Sequence, residues 1–545
     1  MSTLDWVVVG LYLALSGGVG FALARRGSGS VTEFFVGGRA VPWWLAAVSM
    51  AGTTFNVDTP LYVTGLVARY GVAGNWEWWS FAFAHVLLAV LLARLWRRAA
   101  VMTDAELVEI RYGGRPAALL RGLRAFVFAV PLNAIGIAYG MLAMRKVILA
   151  LGLLDGLPAI PGGAALWAVV SVVILTLTYT AMSGMWGVLA TDLFQTVLGW
   201  IGAFIVMGYA LSDVGGLGQM VETLRAQGQQ PRLDLVPTGP DALLPMTTFL
   251  GYIGIQWWAF KNSDGGGMFV QRLSSTANER EAEKAAHAFN ILNYVFRTWP
   301  WVLVALAALV VLPGLADPEL AYPLMMVRYL PSGLLGLVFA SLLAAFMSTV
   351  ATQVNWGASY VVHDLYGRFA KVDDERRLLR AARWASVGIT LLAATLSFFM
   401  ESVGQVFRFL VLIGTGTGAI LLLRWFWWRI NAWAEITALL VGLVLAGLVT
   451  AVPGLRALPF GAKLVLTTFG SMACWLPVLL LTRPESPATL DAFYGRTRPP
   501  GAWGPVQART GLTPADSLSR AAWEWLMWVT GILGSTLGIG WWLLR

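Results

Sequence analysis

The chain is poor in charge, in cysteine and in histidine. Only 12% of its 545 residues are Asp, Glu, Lys or Arg, against roughly 25% in soluble domains. The lone Cys474 says nothing about redox compartment, and its apolar surroundings in sequence read as a buried thiol. His85, His287 and His363 show no metal-ligand spacing, and only His85 lies in an apolar stretch. No Ser-His-Asp or Cys-His pattern has nucleophile context, so an enzyme is the least supported class. An ATP-hydrolysing motif is missing too. The glycines of Gly414-Thr415-Gly416-Thr417-Gly418 lack a following Lys, and in an apolar run they permit close helix packing. Around the first apolar run there is neither a basic n-region nor a small-residue cleavage site, so it reads as a retained helix and not as a signal peptide.

What the chain has is apolar surface, 58% of its residues being hydrophobic. Runs of spanning length, about 20 residues each, predict an all-α integral membrane protein of about 14 transmembrane helices in one domain. The net charge of +9 follows the alternation of the loops and gives no nucleic-acid signal. One side carries Arg25, Arg26, Arg39, Arg94, Arg97, Arg98 and later Arg272, Arg280, Arg368 and Arg376. The opposite side is sparse, with Arg69, Arg225, Arg232 and Arg328 among its few. The rich side is expected to be cytoplasmic, which places both termini outside, in a cell inner (plasma) membrane. The turn near Ser183 is too short to vote, and Arg145, Lys146 and Arg297 fall within helices.

Two of the runs are interrupted. The stretch 41–67 is broken by Gly52-Thr53-Thr54-Phe55-Asn56-Val57-Asp58-Thr59-Pro60, and the run from Leu244 by Lys261-Asn262-Ser263-Asp264-Gly265-Gly266-Gly267. Lipid offers no partners to backbone groups that a broken helix releases, and carboxylates at that depth are costly unless they bind something. Gly and Pro are common in membrane helices anyway, so one break means little. Two breaks five helices apart, each with an Asp, have the parity of an inverted repeat and point to a transporter's binding site. The expected organisation is a transporter domain over 1–482 with its repeat core at about 41–428. A cytoplasmic linker over 483–520 and a further helix over 521–545 complete it.

Short motifs add a family likeness. They are Phe34-Phe35-Val36-Gly37-Gly38-Arg39 with Pro42-Trp43-Trp44, Thr191-Asp192-Leu193-Phe194-Gln195, and Val270-Gln271-Arg272-Leu273-Ser274. The last is Ala344-Ala345-Phe346-Met347-Ser348-Thr349 ahead of Asp364-Leu365-Tyr366. In this order the chain resembles the sodium:solute symporter family, sodium/glucose cotransporter-like proteins with a five-plus-five inverted repeat of the leucine-transporter type. The resemblance implies a sodium site built from carbonyls of Gly52, Phe55 and Ala345 and hydroxyls of Ser348 and Thr349. Oxygen donors are what a hard cation takes. The alternative for Ser348 and Thr349 is back-bonding to carbonyls one turn earlier. Asp192 matches a family Asp associated with the ion path or a second ion site, and Gln195 could share that role. A structural pair with a buried cation is the other reading of Asp192.

Solute candidates are Thr54, Asn56 and Asp58 at the first break and Trp257, Trp258, Asn262 and Asp264 at the second. Glu77 and Ser80 join them through a loose likeness to a sugar-transporter motif at a helix start, where Glu77 could equally cap. Lys261 and Asp264 could pair with each other. The function expected is sodium-coupled symport of a small polar organic solute (sugar, amino acid or carboxylate type). Its partners are the solute, Na+ and the bilayer, with no nucleic acid and no obligate protein partner evident. A proton-coupled symporter using Asp192 and a transporter-like solute sensor are the alternatives.

Overall fold

The structure, a computed structural model, describes residues 1–23, 31–154, 161 and 163–545. Arg25 and Arg26 lie outside them. The described residues are helical apart from loops and two isolated parallel bridges, Val41 with Thr276 and Trp427 with Ala502. Among the described residues, eight helices are long and apolar enough to cross a membrane. A ninth span results if Val403–Thr415 and Gly418–Phe426, bent by 41° at their junction, count as one. Shorter apolar helices add to these at Thr3–Val19 and Ala164–Thr178.

The first break is narrower than its sequence suggested. Helix Trp43–Thr53 ends where Thr54 N–H still reaches the Met50 carbonyl and Phe55 N–H falls back to that of Gly52. Helix resumes as Asp58–Tyr70. Pro60 is harmless in that first turn, where an N–H has no helical partner anyway, and Asp58 faces the positive end of the new helix dipole. In the second unit, Met246–Gly251 passes through a π-helical turn, Tyr252–Gln256, and Trp257–Ala259 before breaking at 260–267. Gly265 and Gly267 sit at φ +83° and +74°, a conformation side-chain-bearing residues rarely adopt. A Cβ on Gly265 would also stand 2.3 Å from the Leu88 side chain.

The broken helices run oppositely, as an inverted repeat requires. Val41, before the first, donates its N–H to the carbonyl of Ser275, at the end of the second, at 3.0 Å. The glycines near 416 allow the close packing their sequence suggests. A Cβ on Gly416 would lie 2.4 Å from Gly442 Cα, and one on Gly418 would lie 2.2 Å from the Ala259 backbone. Backbone cannot rotate away as a side-chain tip can, so Gly418→Ala should cost about 1–3 kcal/mol by overpacking. A thermal unfolding midpoint matching wild type would show that this contact yields freely.

Several expectations need correction. Cys474 is exposed on helix Phe460–Leu481. Ala473 is exposed with it while Trp475 is buried, and both faces of the helix are apolar, so the sequence did not separate them. Helical backbone continues through Ser183 within the element Ala164–Asp213. No proline marks that stretch, and nothing local forces the chain out of helix. Many arginines of the basic side are also structural. Arg124 binds Asp104 at 2.5 Å and Glu435 at 2.8 Å, while Arg424 binds Asp264 at 2.6 Å, all buried. The segment 483–520 carries helices Pro487–Thr497 and Gly504–Thr510. It is held by the buried Trp503 against Arg111 and by Asp516 between Arg94 and Arg98. The last helix, Leu518–Leu543, docks through Trp525 Nε1 on the Phe83 carbonyl at 2.8 Å.

Candidate functional site

Helix Leu334–Ser359 faces the end of the first broken helix. A Cβ on Gly52 would stand 2.2 Å from Thr196 Oγ1, so glycine is what lets the helix Ala164–Asp213 approach this closely, and it would be in ordinary contact, 3.6 Å, with Ser348 Oγ. Thr349 Oγ1 is buried and has no hydrogen-bond partner, and neither has Thr196 Oγ1. A buried hydroxyl without a partner costs about 1–3 kcal/mol, and a cation bound there would remove that cost. Ser348 is committed differently: its hydroxyl donates to Asp192 Oδ1 at 2.5 Å. Gly52, Ser348 and Thr349 therefore share one neighbourhood with Ala345 one turn before Thr349 and Phe55 in the non-helical stretch. Thr196 is the member the sequence reading missed. Its only signal is its place one helical turn beyond Asp192.

Asp192 has both a cation and hydroxyls. Ser49 donates to Oδ2 at 2.5 Å, and Arg272 Nη2 stands 3.7 Å from the same oxygen. Arg272, fully buried, spends its remaining donors on Ser49 Oγ, Thr352 Oγ1 and Gln271 Oε1. It had been assigned to the cytoplasmic charge count. Its burial against Asp192 makes it a link between the second broken helix, the first, and the helix of Ser348. Gln195 Nε2 donates to the Tyr12 hydroxyl at 2.9 Å, leaving its Oε1 unpartnered.

A cavity of about 300 Å³ lies between the two breaks. Of the solute candidates, Thr54, Asp58, Trp257 and Asn262 line it. Asn56 turns away, its Oδ1 taking the Val57 N–H and its amide nitrogen packing on Gly140. Glu77 is bound by Arg408 at 2.8 Å and by the Tyr252 hydroxyl, and Ser80 accepts from Gln256. Asp264 pairs with Arg424 and not with Lys261. Trp258 packs on Phe469, whereas its neighbour Trp257 lines the cavity. The wall also contains Lys261, Arg297, Asn293 and Tyr294. Arg297 Nη1 and Nη2 donate to the carbonyls of Ala51 and Thr54 at 2.9 and 3.0 Å. These are carbonyls at the first break, so Arg297 satisfies groups that lipid could not. An arginine inside an apolar helix was the available signal for it.

With this geometry in view, known proteins give a consistent comparison. The sequence profile of the sodium:solute symporter family matches residues 34–442. The chain is 24% identical over 512 residues to a sodium/glucose cotransporter of Vibrio parahaemolyticus, covering 87% of this chain and 89% of that protein. It is likewise 24% identical over 493 residues to sodium/glucose cotransporter 2 of Rattus norvegicus, covering 81% of this chain and 71% of that one. Among solved structures, a substrate-bound, outward-open Na+-coupled sialic acid symporter superposes with a TM-score of 0.71 at 19% identity. That match covers 89% of this chain and 99% of the other. A nucleobase-cation-symport-1 family transporter in a closed conformation gives 0.52 at 15% identity, covering 86% and 99%.

Proposed function

The chain belongs to the sodium:solute symporter family, a family of multi-pass membrane transporters coupled to sodium, and we propose that it imports a small polar organic solute across an inner membrane by alternating access. Thr349 carries the proposal: a buried hydroxyl with no partner, beside Ser348 and the Gly52 end of the first broken helix. Sodium is taken there by the Gly52, Phe55 and Ala345 carbonyls and the Ser348 and Thr349 hydroxyls. Asp192 stands behind Ser348 and adds negative potential on the ion's path, with Gln195 one turn on. Bound sodium joins the first broken helix to the helix of Ser348. That link holds the cavity formed on the outward side, and separating the two helices releases ion and solute inward. Thr54, Asp58, Trp257 and Asn262 are the solute contacts proposed from the sequence that also face the cavity. Both termini lie outside, by the excess of arginines on the opposite set of loops.

Purified protein in detergent tests this without knowledge of the solute. Thermal unfolding is followed while choline is exchanged for sodium at fixed ionic strength. A ligand that binds only the folded state stabilises by about 2.7 kcal/mol at 100 times its Kd, and an increment specific to sodium is expected. Equal midpoints in choline and in saturating sodium would remove the ion site.

A further inference from the structure

A second cavity, of about 720 Å³, lies on the arginine-rich side of the molecule. Three elements meet there: the start of helix Gly114–Val127, the end of the span Leu334–Ala370, and helix Pro487–Thr497. The ionisable side chains in its wall are Glu109, Arg115, Arg368 and Arg496. Glu109 is bound by Arg121 at 2.6 Å and by Arg368 at 2.8 Å, and Arg121 also holds Asp364 at 2.7 Å. These two carboxylates and two arginines cancel. Glu485, which accepts from the Gly113 and Ala432 N–H groups, is balanced through space by the buried Arg111. Deeper still, Asp104, Asp264 and Glu435 stand against Arg124, Arg424 and Lys261. Glu106 faces His363 at 3.5 Å, and Asp491, on the helix of Arg496, is taken by Arg509 at 2.6 Å. Arg115 and Arg496 remain. Both are exposed, and among the described residues neither is in an ion pair.

The spans Gly114–Ala150 and Leu334–Ala370 begin and end at this cavity, which puts it at the level of lipid headgroups. Residues 115, 119, 122 and 126 share one face of the first helix by their spacing of three and four. Arg115 heads that face, and Leu119 and Phe126 below it are about half exposed. Phe369, also half exposed, lies against Gly122, where a Cβ would stand 3.2 Å from its ring. A cationic head above an apolar stripe suits a lipid better than a soluble anion. Basic pockets between membrane helices on the cytoplasmic side take phosphate-bearing headgroups. We infer that this cavity binds the phosphate group of an anionic phospholipid, held by Arg115 and Arg496, with an acyl chain along Leu119, Phe369 and Phe126. The lipid ties helix Pro487–Thr497 to the ends of the two spans. The inference rests on reading those segments as membrane spans and is independent of the solute and of the ion site.

The test strips the purified full chain of lipid in detergent and offers it dioleoyl phosphatidylglycerol, dioleoyl phosphatidylcholine or inorganic phosphate. Bound lipid is counted by native mass spectrometry, and unfolding midpoints are followed alongside. Phosphatidylglycerol should be retained and should raise the midpoint where the other two do not. In the double variant Arg115→Gln with Arg496→Gln, its apparent affinity should fall roughly thirtyfold, the weight of two arginines at an anionic membrane surface. Arg376→Gln with Arg380→Gln removes the same charge from exposed positions on helix Glu375–Ser397, outside the cavity, and should keep most of the binding. Lipid-free midpoints should match wild type in both, and the lipid count decides the matter even where one variant melts early. Equal losses in the two double variants overturn the proposal, since the attraction would then belong to the whole face. Equal retention of phosphatidylcholine overturns it as well. So does inorganic phosphate that stabilises as much as phosphatidylglycerol, which would make the ligand a soluble anion.

Discussion

Thr349→Ala should erase the sodium-dependent gain in stability while leaving the sodium-free unfolding curve where it is. The two halves of this expectation come from the same observation. Thr349 Oγ1 makes no hydrogen bond in the folded chain, so its removal breaks none, and the relief of deleting an unsatisfied buried hydroxyl offsets about 1 kcal/mol lost with the buried γ-methyl. The same oxygen is one of two side-chain ligands proposed for sodium, and a hard cation in an otherwise carbonyl-lined site depends on each of its few donors. At a sodium concentration that gives wild type about 2.7 kcal/mol, the variant should gain little or nothing. Parallel melts of the two proteins in choline and in sodium decide it. A variant that melts early in choline would mean that Thr349 supports the fold, and one with an unchanged sodium increment would place the ion elsewhere. Ser348→Ala is the poorer test, since its hydroxyl also holds Asp192.

The second large effect concerns Glu77. Its side chain is fully buried, bound by Arg408 at 2.8 Å and by the Tyr252 hydroxyl. Removing one partner of a buried pair leaves the other charge uncompensated, at about 3–5 kcal/mol. Arg408 keeps 23% of its side-chain exposure, which puts Glu77→Ala near the lower end, about 3 kcal/mol. Glu77→Ala combined with Arg408→Met should recover most of the loss, because no charge is then stranded. The stability of the two variants relative to wild type, from unfolding in detergent, checks the pair. Wild-type stability in Glu77→Ala together with lost solute binding would return Glu77 to the solute site.

The breaks were legible because their residues are conspicuous. Asn and Asp in an apolar run are costly against lipid, and the structure places both interruptions where they fall beside Gly and Pro. Sequence also marked Asp264 as a costly carboxylate and Glu77 as a solute candidate or a helix cap. It could not show what compensates them, since Arg408 and Arg424 lie 331 and 160 residues away along the chain. Arg272 illustrates the converse. A basic residue near the end of a broken helix counts as a loop charge until folding buries it against Asp192. Trp257 and Trp258 differ only by the helical angle between neighbours, and a π-helical turn just before them shifts that angle. Cys474 was misjudged because apolar sequence does not distinguish core from bilayer.

Sodium coupling at the neighbourhood of Gly52 and Thr349 has an electrical consequence. If one sodium crosses with one monocarboxylate, the loaded carrier moves no net charge. The membrane potential, about 2.3 kcal/mol per charge per 100 mV, then contributes nothing to accumulation. Only the sodium concentration ratio remains, about 1.4 kcal/mol for each tenfold. Such a carrier keeps working in a depolarised cell and stalls when the sodium gradient collapses, whereas one moving a neutral solute with sodium feels both losses.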